Sequence, residues 1–459
     1  MVLRKISHGL GLLAALAMVL VGAGPASAAS QSSFDTIRIE ENGSTLPYQV
    51  WVAWSPTLIA TPDGGAWAFF SAQTVHSDNS LGTKKLYTSR FDPATATWKP
   101  ANAVKGGQIQ FGTAAVIDAQ GTVHVVFTDR QDDKPASFGG LMYMKSTPEG
   151  GWTDPVAVAA DASAGHQLSP EMAIDKNGVI HLVWQDQRSV DQASRDAAAS
   201  NADVFSSEQG TDGTWSNPVQ MSAARPDPAT NASRAQIALD GDRLVAIWSV
   251  YTKDSGLNSA ARIEWTTKPI DGSSGWAAPQ SLVDQAGTQI GGRLVDLAAD
   301  PTGGVDIVYG RHAAAGNTIS TQKLASGANQ WTTPADLVSG DRGSFPSTAV
   351  GGDGTLYATY NIGSGTAVGV GSVALQPGAV RASSEVNLTA GDDGAQGRAT
   401  IEMTGSGRLW VIYLHEPNGG VSNEIRVLRG AAIPSEPGPE ATPPPAAAGT
   451  PAAVSTPAA

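Results

Sequence analysis

One hairpin pattern recurs seven times along the chain and constrains its fold more than any other feature. The clearest copy is SPEMAIDKNGVIHLVWQDQR, Ser169–Arg188, in which two apolar runs flank Asp-Lys-Asn-Gly. Asn and Gly accept the left-handed backbone that a tight turn between two strands needs. The other copies are Leu58–Phe70, Ala114–Phe127, Ile237–Trp248, Leu297–Tyr309, Thr348–Tyr360 and Ile401–Tyr413.

An aromatic residue follows every turn at one fixed distance. The turn residues are Gly64, Gly121, Gly178, Asp242, Gly303, Gly354 and Gly407, and six residues later stand Phe70, Phe127, Trp184, Trp248, Tyr309, Tyr360 and Tyr413. Aromatic residues make up only 6% of the chain, so chance is a poor explanation for seven matches. Strand-rich repeats of this length are typical of a propeller or an array, and the repeated aromatic is predicted to be a core residue.

Each repeat continues with a third strand, a turn and usually a Trp, as at Trp98, Trp152, Trp215, Trp276 and Trp331. Four of these begin Trp-x-x-Pro, and Pro is tolerated at the start of an edge strand. The sequence therefore predicts an all-β, seven-bladed β-propeller of four-stranded antiparallel blades. Only six fourth strands follow in chain order, so Thr36–Glu40 is predicted to complete the last blade and close the ring.

Composition sets the expected domain limits. Residues 1–28 have the basic, apolar and small-residue regions of a secretory signal. The propeller is predicted over residues 33–432, and the Pro/Ala-rich residues 433–459 are predicted to be a disordered tail. We therefore expect a secreted, periplasmic or cell-surface monomer that does not insert into the membrane after signal cleavage.

Charge and cysteine content exclude several classes of partner. The formal charge of −13 argues against nucleic acid, and the absence of Cys excludes disulfides and thiolate metal sites. Asp132-Asp133 and Asp392-Asp393 carry the oxygen ligands that Ca²⁺ prefers, but we interpret them as solvated turns. No metal and no cofactor are predicted.

Two hairpins between third and fourth strands, Ser206–Trp215 and Ser146–Trp152, carry a small residue, an acid and a Gly ahead of a Trp. They are similar to degenerate Asp-boxes, so the predicted domain resembles the sialidase-like, Asp-box (BNR-repeat) β-propellers. These motifs specify the blade and not the chemistry. The resemblance implies that three arginines from separate blades bind a substrate carboxylate, beside an acid and a Tyr–Glu pair.

Arginines recur at the face that bears the long loops. Arg234, Arg293 and Arg398 stand eight to ten residues before a turn residue, at the start of an inner strand, and Arg130, Arg188 and Arg311 follow the repeated aromatic. Guanidinium groups bind carboxylate or sulfate through paired hydrogen bonds, so all six are predicted ligand-binding residues. In the alternative interpretation they pair with Asp186, Asp129 or Asp296 and hold the blades together.

The catalytic complement is incomplete. Arg38-Ile39-Glu40 stands where the resemblance implies Arg-Ile-Pro, and Tyr251 and Glu171 have no motif around them. His124 and His181 share one strand position and are predicted to be hydrogen-bonded core residues. His76, His166, His312 and His415 are placed in loops of the long-loop face, where Arg311-His312 with Tyr251 would be a candidate set for a lyase.

The functional prediction is a protein that binds an extracellular ligand, an anionic glycan, on its arginine-bearing face. One alternative is a glycan-cleaving enzyme, either an exo-sialidase or a polysaccharide lyase. The other is a cell-surface scaffold for protein partners. Whether any bond is cleaved stays open, and no catalytic residue is assigned.

Overall fold

Seven antiparallel blades of four strand layers form a closed ring, and in the first blade the inner and the outer layer each consist of two short strands. The computed structural model describes residues 34–432 except 42, 51–55, 107, 131–138, 148–149, 159–164, 189–201, 223–229, 253–261, 285–286, 288–289, 291–292, 314–315, 340–341, 364–368, 380, 391, 393, 405–406 and 418–422. The predicted signal segment (1–28), the predicted tail (433–459), the Asp132-Asp133 pair and most of the long loop after Trp184 lie outside the described residues. The predicted seven-bladed propeller is confirmed.

The innermost strands are β4 Tyr48–Val50 with β5 Thr57–Ala60, β10 Gln108–Ile117, β14 Gln167–Ile174, β18 Thr230–Asp240, β22 Arg293–Ala299, β26 Arg342–Val350 and β30 Ala395–Met403. The second strands are β6 Ala66–Thr74, β11 Val123–Arg130, β15 Ile180–Asp186, β19 Arg243–Thr252, β23 Val305–Ala313, β27 Leu356–Ile362 and β31 Arg408–Glu416.

The third strands are β7 Lys85–Asp92, β12 Gly139–Lys145, β16 Asp203–Gln209, β20 Arg262–Pro269, β24 Gly316–Leu324, β28 Gly369–Leu375 and β32 Glu424–Ala432. The outer strands are β8 Thr97–Trp98 with β9 Asn102–Gly106, β13 Val156–Ala157, β17 Val219–Gln220, β21 Gln280–Ser281, β25 Ala335–Ser339, β29 Val386–Asn387 and, for the seventh blade, β1 Phe34–Ile37. A separate hairpin pairs β2 Ile39–Glu41 with β3 Ser44–Leu46. The described part of the chain contains no helix long and apolar enough to cross a membrane.

The turn between first and second strands has the backbone that its sequence predicts in six blades. Gly178, for example, has φ +80° and donates its N–H to the Asp175 carbonyl. The fourth blade differs, because β18 runs to Asp240 and β19 begins at Arg243. Its left-handed residue is Gly241 at φ +59°, so the predicted turn residue Asp242 is wrong by one position.

The repeated aromatic residues form the centre of the blade packing, as predicted. All seven side chains are at most 2% exposed. A buried Trp N–H or Tyr O–H needs a hydrogen-bond partner. In several blades an acidic side chain is that partner. Trp184 Nε1 donates to Asp186 at 2.7 Å, Trp248 Nε1 to Glu264 at 3.0 Å, and the Tyr413 hydroxyl to Asp392 at 2.9 Å.

The tryptophans of the outer hairpins join neighbouring blades. Trp152 packs edge-on against Trp67 of the preceding blade with ring centroids 5.7 Å apart, and Trp331 packs against Trp265 in the same way. Trp98 of the first blade contacts Trp410 of the seventh at 5.9 Å. The same packing that joins consecutive blades therefore also crosses the seam where the ring closes.

The N-terminal strand completes the seventh blade. Phe34 to Ile37 pair with Leu428 to Ile425, so the predicted closure is confirmed. The predicted bounds, Thr36–Glu40, differ from the observed bounds, Phe34–Ile37. The strand ends at Ile37 because the Arg38 carbonyl accepts the N–H of Ala101 in the first blade. From there the chain enters the β2–β3 hairpin. Arg38 itself is exposed on this outer side, away from the axis.

Candidate functional site

The inner strands of blades two to seven share a bulge. Their pairing with the second strand shifts register there, as between Leu168 and Glu171. The residue at the shift has a left-handed backbone, and these bulge residues are Gly112, Ser169, Arg234, Leu294, Phe345 and Arg398. Five of them carry a side chain at φ between +49° and +57°, a conformation that costs about 1–2 kcal/mol per residue. The strain repeats around one mouth of the axial channel.

Two predicted ligand-binding arginines meet at this mouth. Arg234 and Arg398 are the bulge residues of blades four and seven, and both guanidinium groups lie against the Phe345 ring of blade six. The guanidinium carbon of Arg398 is 4.2 Å from the ring centroid, and that of Arg234 is 5.7 Å away. Burial, together with the nearby charge of Arg234, lowers the pKa of Arg398 to about 10. The mouth therefore holds two guanidinium groups close enough for their charges to interact.

The other predicted arginines do not all join this pair. Arg293 precedes the bulge residue Leu294 by one position, so it does not occupy the place that Arg234 and Arg398 share. The side chains of Arg293 and Arg130 lie outside the described part of the structure. That these two residues bind the ligand stays a prediction.

Arg188 and Arg311 are held by carboxylates within their own blades. Arg188 lies 2.8 Å from Asp186 and covers the Phe205 ring. Arg311 donates to both oxygens of Asp336, at 2.9 and 3.1 Å. These contacts match the alternative interpretation, in which arginine stabilises the blade, and we leave both residues out of the proposed site.

Sequence reasoning missed two further arginines of this structural kind. Arg262 contacts Glu264 at 2.7 Å, and Arg426 pairs with Asp392. In both cases the same acid also accepts a hydrogen bond from the repeated aromatic of the blade. The pattern of an aromatic tip, an acid and an arginine was hidden because the aromatic lies on a second strand and the arginine on the third strand of its blade. The interpretation of Asp392 as part of a solvated turn is wrong, because its side chain is 2% exposed and binds Arg426 and the Tyr413 hydroxyl.

Two residues beyond each bulge, the inner strands carry one residue per blade that lines the channel. These ring residues are Thr57, Ala114, Glu171, Gln236, Asp296, Ser347 and Thr400, with Thr57 at the equivalent place in blade one. Several connect to the next blade: Thr400 Oγ1 donates to the Pro56 carbonyl at 2.7 Å, and Asp296 Oδ2 accepts the Thr348 N–H at 2.7 Å. The ring therefore stabilises the closed propeller and shapes its channel.

Three carboxyl groups line a channel cavity of about 300 Å³. Burial raises the pKa of Glu171 to about 8, with the charge of Asp296 contributing, and it raises the pKa of Glu402 to about 7. Burial also raises the pKa of Asp296 to about 6, against hydrogen bonds from Thr348 and Leu297 that favour its charged form. Protonated and ionised carboxyl groups therefore coexist in the channel near neutral pH.

These carboxyls predict a pH dependence of stability. Their folded-state pKa values exceed those of the unfolded chain, so folding takes up protons and ionisation opposes it as pH rises from about 4.5 to 8. Glu171→Gln should therefore gain stability relative to the parent between pH 5 and 8.5. Because Glu171 is only half-buried, we expect a gain on the order of 1 kcal/mol. Parallel urea titrations at the two pH values measure it, and a stability difference that is independent of pH would contradict it.

The histidines have structural partners. His124 contacts the Tyr143 hydroxyl at 2.6 Å and Asp118 at 3.2 Å, and His181 lies between Glu208 at 2.9 Å and Asp175 at 3.2 Å. Both therefore have the hydrogen-bonded core role that was predicted.

The structure describes the side chains of two of the three members of the candidate lyase set. Arg311 is held by Asp336, Tyr251 is buried in β19 opposite Asn231, and the side chain of His312 lies outside the described residues. His312 and His415 were predicted to lie in loops, but both belong to second strands, because β23 extends to Ala313 and β31 extends to Glu416. His415 is fully buried near Asp392. The described residues contain no group of three or more His, Asp or Glu that could hold a metal ion.

No protein-family model matches the chain, and no curated protein matches it. Among solved structures, a PL25 polysaccharide lyase, described as an ulvan lyase, is 12% identical over 84% of this chain and 94% of its own, with a TM-score of 0.55. The polysaccharide lyase Uly1 is 10% identical over 88% and 98%, with a TM-score of 0.53. A Hadza microbial sialidase is 14% identical over 79% and 73%, and its TM-score of 0.45 carries no argument.

At these identities the likeness establishes the propeller fold alone. The β-propeller part of the expected resemblance is thus supported, and the superfamily itself stays a prediction. Its Asp-box assignment stays a prediction.

Proposed function

We propose that this protein binds an anionic glycan at the mouth of its axial channel, with Arg234 and Arg398 holding the acidic group. The observation that carries the proposal is the convergence of these two guanidinium groups on Phe345. They come from blades that are distant in sequence, and they meet over a cavity lined by polar residues.

Electrostatics supports an anion as the ligand. The nearby charge of Arg234 disfavours the charged form of Arg398. A carboxylate or sulfate placed between the two groups would offset that repulsion and accept charge-assisted hydrogen bonds from both. Their planar forks suit such oxyanions better than a lysine ammonium does.

The structural neighbours favour a glycan as the source of the anion. Two of them are described as polysaccharide lyases. Fold likeness by itself does not transfer function, so the proposal depends on the arginine pair. The signal-like residues 1–28 fit a ligand met outside the cytoplasm, and we propose an extracellular, periplasmic or cell-surface location on that basis.

Arg234→Lys and Arg398→Lys test the proposal. Each variant keeps the positive charge but loses the fork, and affinity for uronate-containing or sialylated glycans should fall by about 1–3 kcal/mol. Titration calorimetry measures the affinity, and a thermal melt should show nearly unchanged stability.

Arg311→Lys is the matched control, because its partner Asp336 is known and lies in the blade. It should leave glycan affinity unchanged. The proposal is wrong if no acidic glycan binds the parent protein, or if the bulge variants bind as well as the parent does.

A second candidate function is glycoside hydrolysis, favoured by the channel carboxyls. Hydrolysis with two carboxyl groups needs one that is protonated and one that is ionised. Glu171, whose pKa is raised to about 8, would protonate the leaving oxygen, and Asp296, whose pKa is raised to about 6, would accept a proton from the attacking water. The glycosidic C–O bond breaks while the water oxygen forms the new one.

This candidate predicts a bell-shaped pH–rate profile with its limbs near pH 6 and pH 8. Glu171→Gln should reduce the rate by about 10²–10⁴-fold, the usual contribution of a general acid. Release of reducing sugar from sialylated and uronate-containing glycans is the measurement. Tight binding without any release over this pH range would leave binding as the function.

The scaffold alternative rests on arginines that are all tied to neighbouring acids. Arg188 and Arg311 meet that description. The scaffold would gain support if the same protein bound a protein partner while every acidic glycan failed to bind.

A further inference from the structure

Carboxyl groups from three alternate blades line the axial cavity. Glu171 belongs to β14 of blade three, Asp296 to β22 of blade five and Glu402 to β30 of blade seven. All three residues are half-buried. The charge of Asp296 acts on both of the other carboxyl groups. Ionisation therefore concentrates negative charge on the wall of one cavity.

The described basic side chains do not offset this charge. Arg234 lines the cavity, and Arg398 lies with it at the mouth. Neither arginine is among the groups that shift the pKa values of the three carboxyls, which respond to burial, to the charge of Asp296 and to neutral hydrogen-bond donors. Carboxyl groups that share a cavity repel one another when ionised, and a bound cation relieves this repulsion.

The same cavity wall contains a hydroxyl group that has no hydrogen-bond partner in the described part of the chain. Ser169 is 8% exposed, and its Oγ is buried. Buried hydroxyls are nearly always hydrogen-bonded, so this one points to a group that enters the cavity. A hydroxyl oxygen can accept a hydrogen bond as well as donate one, so Ser169 and the carboxylates can serve one N–H donor group together.

The arrangement of these acceptors favours an ammonium group over a metal ion. Among the described residues, no three acids or histidines lie close enough to hold one metal ion. An ammonium group instead directs three N–H donors at separate acceptors.

The rest of the cavity wall favours a hydroxylated ligand. Thr57, Ser347 and Thr400 belong to it, and such a wall suits a sugar ring better than an alkyl chain. Its volume of about 300 Å³ lies at the lower limit of ligand pockets, which fits a single sugar ring.

We propose that the axial channel binds the ammonium group of an amino sugar, with the carboxylates of Glu171 and Asp296 and the hydroxyl oxygen of Ser169 as its acceptors. Glu402, two residues beyond the ring residue Thr400, adds negative charge along the channel. The ligand needs no acidic group, so this site goes beyond the proposed function and does not depend on the arginine pair.

Glucosamine and glucose are a matched pair of probes, because an ammonium group in the first replaces one hydroxyl of the second. Titration calorimetry should show that glucosamine binds the parent protein at least about tenfold more tightly than glucose. Glu171→Gln and Asp296→Asn keep the side-chain shape and remove the charge, and each should weaken glucosamine binding by about tenfold or more. Ser169→Ala should weaken it by about three- to tenfold.

Asp154→Asn is the matched control. Asp154 is exposed in the outer hairpin of blade two and does not line the axial cavity. The substitution removes the same negative charge from the protein as a whole, so a loss of affinity caused only by net charge would appear here too. We expect glucosamine affinity to stay unchanged.

Proton release gives a second readout. Burial raises the pKa values of Asp296, Glu402 and Glu171 to about 6, 7 and 8, so these groups are partly protonated near neutral pH. A bound ammonium group favours their ionised forms, and binding at about pH 7 should release protons. The calorimetric enthalpy should therefore differ between phosphate and Tris buffers. At about pH 5 the carboxyls are mostly neutral, and glucosamine affinity should fall.

Three outcomes would overturn the proposal. The first is equal affinity of the parent protein for glucosamine and glucose, or no binding of either. The second is glucosamine binding that is unchanged in Glu171→Gln and Asp296→Asn. The third is butylamine binding as tightly as glucosamine, which would mean that the channel recognises an alkylammonium group and not an amino sugar. None of these results bears on acidic glycans, which the arginine variants test separately.

Discussion

Deleting residues 33–44 should destabilise the propeller severely, by at least about 3–6 kcal/mol. The estimate counts only the burial of Ile37 and Ile39, both fully buried, at about 1.5–3 kcal/mol for each side chain. The deletion also removes the four-residue ladder with Ile425–Leu428 and the Asp35 partner of Arg429. An unpaired β32 edge would then be exposed, which favours aggregation.

The ring closure also involves Tyr48, which lies just beyond the deleted residues, and a substitution there gives a second prediction. The Tyr48 hydroxyl donates to the Ile37 carbonyl at 2.6 Å and accepts the Ile425 N–H at 2.9 Å, and it thereby joins β1, β4 and β32. Tyr48→Phe removes only that junction and should cost about 1–3 kcal/mol, because two backbone groups lose a buried partner.

Differential scanning calorimetry on the two variants and the parent measures these losses. Removal of residues 434–459 is the control, and their composition predicts no change in melting temperature. Equal melting temperatures for the parent protein and the N-terminal deletion would refute the role of this strand in closing the ring.

The sequence predicts the blade count because turn chemistry and strand alternation are local. A Gly at the turn and an aromatic six residues later together specify one hairpin, and seven copies specify the ring. Closure was predictable by counting outer strands, but its bounds were not. The strand ends at Ile37 because the Arg38 carbonyl contacts Ala101, a residue more than sixty positions away.

The arginine pair was partly visible in the sequence, and spacing explains why. Most bulge residues lie nine positions before the turn glycine, as Arg398 does before Gly407. Arg293 lies ten before its turn residue, and that single position separates it from the bulge. Arg234 is the bulge residue of blade four although it lies fewer positions before its turn residue. The reason is that the turn of blade four contains fewer residues. A difference of one residue in a strand changes the face on which a side chain lies.

The channel acids could be located from the sequence, but their chemistry could not. Glu171 and Asp296 each lie seven residues before a turn glycine, like the other ring residues outside blade four. Burial raises both pKa values, and the charge of Asp296, which lies two blades away, raises that of Glu171 further; no local pattern encodes either effect. The Arg311–Asp336 pair was hidden for the same reason, since the two residues meet through different strands of one blade.

Truncating the repeated tryptophans should give the second large effect. Trp184→Ala and Trp248→Ala should each cost about 3–5 kcal/mol, because both side chains are fully buried and their removal leaves a cavity. Val219→Ala is the control: its side chain is 53% exposed, and a surface change of this kind costs at most about 0.5 kcal/mol. Urea unfolding of each variant measures the losses.

A further comparison separates the ring from its polar tip. Trp184→Phe keeps an aromatic side chain but removes the Nε1 donor to Asp186, a carboxylate that keeps Arg188 as its partner. The cost should therefore be about 1–3 kcal/mol, the range for one buried hydrogen bond to a charged group. If Trp184→Phe were as damaging as Trp184→Ala, the hydrogen bond and not the packing would dominate at this position. If both cost less than about 1 kcal/mol, the repeated aromatic would not form the core that stabilises the seven blades.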